Sequence, residues 1–168
     1  MKKFEVEAIG LGFNNSDYPG AFTPTIEQLI KSTINGKVLH LFSGSSLIGD
    51  ERVDLEHPSA TINQDVGIFL IEDNRNWNWV LLDPPYGLYR VGSKLKEYAN
   101  DKSLAGNLVL ARALKRYCQM HTDNILWLDI CAPMIKGFHR RKLWLCLPGG
   151  MHIVRVLSWL ERVSKPMF

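Results

Sequence analysis

The apolar run Trp79-Val80-Leu81-Leu82 is closed by Asp83, Pro84, Pro85 and Tyr86. A short apolar run bounded by turn residues reads as a buried strand. Two successive prolines cannot donate to a ladder, so the strand has to end there, and it ends on a carboxylate.

Other short strand-like runs surround it. Residues 4–9 alternate Phe, Val and Ala with Glu; residues 38–42 read VLHLF; residues 51–55 and 60–63 follow, and residues 125–130 and 143–147 are strongly apolar. Helices are expected between them. Thr23 is a suitable N-cap, Pro24 suits a first helical position, and residues 25–32 carry Ile26, Leu29 and Ile30 on one face. Residues 103–119 place Leu104, Leu108, Ala111, Leu114 and Cys118 on one stripe, with Ser103 as cap. KGFHRRK, from Lys136 to Lys142, reads as a basic loop, and residues 153–163 read as a strand running into a short helix. Short strands with intervening helices predict an open, mainly parallel α/β sheet, whose ligands sit at the carboxyl ends of the strands.

The chain has 168 residues, of which 46% are hydrophobic and 22% charged, which suits one globular domain and excludes disorder as the main state. No apolar run approaches the roughly 20 residues of a membrane span. Glu5 and Glu7 stand where a signal peptide needs an apolar stretch, so a soluble, cytoplasmic protein is expected. Cys118, Cys131 and Cys146 lie far apart and read as buried reduced thiols, with no metal implied. The net charge of +3 permits an anionic polymer as partner without requiring one.

Three features converge on one sheet edge. Gly44 in Phe42-Ser43-Gly44-Ser45-Ser46 lets the backbone approach a ligand closely, although alone it reads equally well as a plain turn. Asp54, at the end of the next strand, is suited to accepting hydrogen bonds from ribose hydroxyls. Asp83 and the Pro84 carbonyl are paired acceptors for a planar amine, and Tyr86 offers a face for base stacking. His40 reads as a strand histidine, and Trp77 and Trp79 as core or rim.

These residues resemble the class I S-adenosylmethionine-dependent methyltransferases, in particular the amino-methylating group that includes DNA adenine-N6 methyltransferases. LLDPPYG is similar to their catalytic motif, VLHLFSGSS to the cofactor strand and loop, RVDLE to the ribose-binding acid, QDV to the adenine loop, and FTPTIEQLI to the opening Thr-Pro segment. The resemblance implies a Rossmann-like α/β fold with a mainly parallel central sheet flanked by helices. It implies one catalytic domain over residues 1–168 without a separate target-recognition domain.

It also implies roles. Phe22, Thr23, Pro24, Phe42, Ser43, Gly44, Asp54 and Asp65 would hold S-adenosylmethionine; Asp83, Pro84, Pro85 and Tyr86 would form the catalytic set. The chain departs from the family pattern at His40, where an acid is usual, and at Ser46, where a second glycine is common. The implied reaction is direct methyl transfer to an exocyclic base amine, adenine N6 in DNA, after the nucleotide leaves the stack. Arg90, Lys94, Arg140 and Arg141 are candidate phosphate contacts, although basic runs are more often solvated faces. Target selection is expected to be low, made by the loop from Gly87 to Lys102, or supplied by a homodimer or a specificity subunit. Two other readings stand beside this one: an RNA base-amine methyltransferase, for example guanine-N2, and an inactive cofactor- or partner-binding subunit.

Overall fold

The computed structural model describes residues 3–12, 21–85, 104, 107–149 and 153–163. Its strands are β1 (Glu5–Gly10), β2 (Val38–Leu41), β3 (Glu51–Asp54), β4 (Ile62–Asn63), β5 (Trp77–Leu82), β6 (Thr122–Asp129), β7 (Phe138–Leu147) and β8 (Arg155–Arg162). The helices among the described residues are α1 (Pro24–Thr33), α2 (Val66–Glu72) and α3 (Leu108–His121). The strands form one sheet in the order β1-β7-β8-β6-β5-β2-β3-β4.

This sheet corrects the expected Rossmann-like fold with a mainly parallel sheet. The sheet is mixed: β8 runs antiparallel to both β6 and β7, and these antiparallel pairings join the three longest strands. Among the described residues strand outweighs helix, at 37% against 25%. The reason is local. Only residues 148–154 connect β7 to β8, whereas a parallel return needs a crossover of about a dozen residues or more. The remaining pairings, β1 with β7 and the run β6-β5-β2-β3-β4, are parallel.

Two further expectations change. Residues 138–142, read as part of a basic loop, lie in β7, because their charges find partners on neighbouring strands: Lys142 pairs with Glu5 and Glu7, and Arg141 and His139 meet Glu161. The long helix begins at Leu108, where Asn107 caps it by accepting the Leu110 N–H at 3.0 Å; the expected cap, Ser103, lies outside the described residues. Residues 155–162 are wholly strand.

The α1 expectation holds. Thr23 Oγ1 accepts the Ile26 N–H at 3.3 Å, Pro24 opens the helix, and Ile26 and Ile30 are fully buried. They pack on one sheet face with Val38, Leu81, Leu128 and Leu157. On the other face α2 and α3 bury Phe69, Leu114 and Tyr117 against Leu39, Val80, Ile125 and Trp127. Each such side chain contributes roughly 1.5–3 kcal/mol on burial.

A polar cluster anchors the start of β5. The Trp77 indole N–H donates to Tyr117 Oη at 2.9 Å and to Asp73 at 3.3 Å, and the Tyr117 hydroxyl donates to Asp73, the C-cap of α2. Burial alone would raise the Asp73 pKa, but donors from Tyr117, Arg75 and Trp77 hold it below the usual carboxylate value. Tyr117→Phe keeps the ring but removes a donor to a charged acceptor, and is expected to cost about 1–3 kcal/mol in urea unfolding. An unchanged midpoint would show that the cluster does not hold β5.

Cys118 and Cys146 are buried as expected, whereas Cys131, in the turn after β6, is exposed. No helix among the described residues is long and apolar enough to cross a membrane.

Candidate functional site

Because β2, β3, β4, β5 and β6 are parallel, their carboxyl ends share one edge. That edge carries the glycine turn after β2, Asp54 at the end of β3, Asp65 after β4, Asp83 after β5 and Asp129 at the end of β6. Leu41 pairs with Leu82, so Phe42 and Asp83 leave the sheet side by side.

The glycine turn is held under tension and tied down. Phe42 has φ 60, a left-handed conformation that costs a side-chain-bearing residue about 1–2 kcal/mol, and Gly44 has φ 49. The Ser43 N–H donates to Val53 O at 3.1 Å, and Ser59 Oγ donates to Gly44 O at 2.7 Å. Asp54 is the main fastener. Its Oδ2 accepts the Gly44 N–H at 3.0 Å, and its Oδ1 accepts the Glu56 and His57 N–H groups at 3.1 and 2.9 Å. Ser46 has a local task that glycine could not perform, since its Oγ accepts the Ile48 N–H at 3.2 Å.

His40 is fully buried and stacked on Phe22, with centroids 5.7 Å apart and planes 4° from parallel. Its Nδ1 donates to Ile48 O at 3.0 Å. Burial pulls its pKa down to about 4, assisted by Arg52 and opposed by the Ile48 carbonyl and Asp54, so the ring is neutral at pH 7. The adjoining Gly49, at φ 111, packs closely on the base of the His40 side chain: a Cβ there would lie 3.1 Å from His40 Cβ. His40 Nε2 and Ser43 Oγ are buried without hydrogen-bond partners among the described residues. An unmet buried polar group costs about 1–3 kcal/mol, which a ligand donor can recover.

Asp83 is partly buried and Pro84 buried. Burial pushes the Asp83 carboxyl up to about 7; Arg155 lowers it and Asp129 raises it further. The Pro85 carbonyl accepts the Leu104 N–H at 3.0 Å, which carries the chain from the site into the core.

The edge therefore gathers Phe42, Ser43, Gly44, Asp54, Asp83, Pro84 and Pro85. Phe22 reaches it through its stack on His40, with Thr23 and Pro24 capping and opening α1 beside it. Asp65 stands further out, exposed, and caps α2 by accepting the Ile68 N–H at 3.2 Å. Tyr86, Arg90 and Lys94 lie outside the described residues.

Arg140 and Arg141 are not at this edge. They lie in the first half of β7, at the opposite end of the sheet, level with the start of β6. Arg140 donates to Ala132 O at 2.8 Å and sits over the Phe4 ring, while Arg141 pairs with Glu161 at 3.4 Å. Asp129 and Arg155 were missed in the sequence. Asp129 had a readable signal, since it closes the apolar run ILWL as Asp83 closes VLL. Arg155 had none, because only the reversal of β8 brings it to this edge.

A cleft of about 240 Å³ opens at the opposite end of the sheet, between the starts of β5 and β6 and the end of β8. No group of three His, Cys, Asp or Glu side chains among the described residues is arranged to hold a metal ion. The sequence matches no protein-family model and none of the curated proteins.

Proposed function

We propose that this chain is an S-adenosylmethionine-dependent methyltransferase that modifies an exocyclic base amine, adenine N6 in DNA. The observation that carries the reading is the pairing of Leu41 with Leu82, which sets the pinned glycine turn beside Asp83 and Pro84. A nucleoside with an amino-acid arm matches the length of this edge: Asp65 and Asp83 stand three strand spacings apart, about 14 Å. The two unmet polar atoms, His40 Nε2 and Ser43 Oγ, suit the polar arm of such a molecule.

Phe22, Thr23, Pro24, Phe42, Ser43 and Gly44 would border the cofactor's methionine end, Asp54 its ribose and Asp65 its adenine. Asp54 already accepts three backbone N–H groups, so it offers the ribose its remaining lone pair while holding the loop. When bound, the cofactor supplies a methyl group on a sulfonium sulfur. Asp83 and the Pro84 carbonyl accept the two N–H groups of the target amine. That draws the nitrogen toward tetrahedral geometry and frees its lone pair for in-line attack. Rigid prolines fix both acceptors before the substrate arrives. Tyr86 would stack on the extruded base, and Arg90 and Lys94 would contact phosphates. The reading implies a cytoplasmic enzyme, with target choice made by a second copy or a specificity subunit.

The test is methyl transfer from labelled S-adenosylmethionine to unmethylated genomic DNA and to total RNA in parallel. Labelled N6-methyladenine in DNA is expected. Label in RNA alone would assign the chain to RNA base amines. Cofactor binding without label in either would favour a non-catalytic subunit, the reading to which neutral His40, in the place of an acid, lends weight.

A further inference from the structure

We propose that Asp129 and Arg155 are positioning residues which, with Asp83, form a charge cluster across three strand ends that takes up the proton lost by the amine. The inference rests on the methyl-transfer reading and adds to it the fate of the proton.

The sheet register brings the three together. Leu82 pairs with Trp127, so Asp83 leaves β5 opposite Leu128 and one residue short of Asp129. Asp129 pairs with Val156, which puts Arg155 at the same edge as the first residue of β8. Leu81, Leu128 and Leu157 share one sheet face. Side chains alternate along a strand, so Asp83, two residues past Leu81, and Arg155, two before Leu157, project to that same face. β5 and β8 are two spacings apart, about 10 Å, a gap that the long arginine side chain is suited to crossing. Asp129 comes from the other face, where Trp127 Nε1 donates to its Oδ2 at 3.2 Å and the Ile130 N–H to its Oδ1 at 2.7 Å. Those two donors fix it against the end of the sheet.

The two neighbours act on Asp83 in opposite directions. Arg155 favours the carboxylate, so Asp83 begins as an acceptor of the amine N–H. Asp129, itself raised by burial, increases the proton affinity of Asp83. As the N–CH3 bond forms, the S–C bond breaks and its electron pair stays on sulfur. The nitrogen then releases one N–H proton to the Asp83 carboxylate. A sulfonium and a carboxylate are consumed; a neutral thioether, a neutral methylated amine and a protonated Asp83 remain. Water then takes the proton. Among the described residues at this corner, His40 on β2, Cys131 after β6 and Cys146 on β7 are neutral at pH 7, the two thiols being raised by burial; Cys131 is hydrogen-bonded to Asp129, and Lys115 on α3 is the charged neighbour of Cys131. α1 faces it with Ile26 and Ile30.

The test uses full-length wild type, Asp129→Asn, Arg155→Gln and Arg155→Lys. One readout is the 13C titration of the Asp83 carboxyl, assigned by its loss in Asp83→Asn; the other is the pH profile of methyl transfer. The wild-type midpoint is expected near 7. Asp129→Asn should lower it and Arg155→Gln raise it, each by about one pH unit, with Arg155→Lys restoring it. The acid limb of the rate profile should move with each midpoint. Unmoved midpoints in folded variants, or rates that fall equally at every pH, would overturn the proposal. Shifted midpoints without turnover in any chain would sink the methyl-transfer reading, and proton uptake with it, while leaving the charge coupling established.

Discussion

Asp83→Ala is expected to lower methyl transfer by about 10²–10⁴-fold, with the fold and cofactor binding retained. The variant removes an oriented acceptor of the amine N–H and leaves the glycine turn, which Asp54 and Val53 fasten, untouched. Initial rates with labelled cofactor, beside cofactor titration by calorimetry, separate the two effects. A variant that still turns over at a tenth of the wild-type rate would remove Asp83 from the chemistry.

The same residue has a stability signature of opposite sign. In the unfolded chain the Asp83 carboxyl titrates near 3.8; in the fold, burial first and Asp129 second push it up to about 7. Between those values the folded state holds a proton that the unfolded state has released. Stability from this group is therefore present below about pH 4, declines as pH rises to about 7, and is level above that. Asp83→Asn removes the slope. It should be more stable than wild type at pH 8 and lose that advantage on acidification to pH 4. Each 1 kcal/mol appears as about 2–4 °C in a chain of this size.

Asp54→Ala is the second large effect. It removes the acceptor of three backbone N–H groups, and hydrogen bonds to a charged partner are worth about 1.5–3 kcal/mol each before water replaces them. A net stability loss of about 2 kcal/mol is expected, with cofactor affinity weakened at least about tenfold, because Phe42 at φ 60 then relaxes out of its left-handed conformation. Asp54→Asn should fall between alanine and wild type: its one oxygen can serve Glu56 and His57, but its amide then faces the Gly44 N–H. Unfolding curves and cofactor titrations check both. Unaltered cofactor affinity in Asp54→Ala would show that the loop is held by Val53 and Ser59 alone.

What the sequence revealed depended on how local each cause was. The end of β5 was legible because two prolines forbid continuation whatever lies around them. The start of α1 was legible because Thr23 and Pro24 act within one turn. The second half of β7, residues 143–147, was legible as an apolar run; its charged first half was not, since it is stabilised by Glu5, Glu7 and Glu161, which are distant in the chain. α2 was missed because VGIFLIE carries no helical alternation; its start depends on the Asp65 cap. The edge residues Phe42, Gly44, Asp54 and Asp83 were found by pattern, but the division of labour among them was not. That Asp54 fastens a turn, and that Asp83 has Asp129 and Arg155 beside it, follows from strand order and reversal, which no short window of residues contains.

The insertion of β8 between β6 and β7 also sets the order in which the chain can become a protein. β2 to β5 pair among near neighbours in sequence and can close early. β1 cannot: its partner is β7, and Glu5 must wait for Lys142. β7 in turn touches β6 only through β8, which follows it in the chain. Long loops close slowly, since their entropy is spent before any contact rewards it. Three of the eight strands, β1, β7 and β8, therefore join the rest only when β8 docks on β6, and Arg155 joins Asp83 in the same closing event. The corner that holds Asp83, Asp129 and Arg155 is complete only once β8 has docked on β6, so a folding chain with a finished glycine turn is still without it.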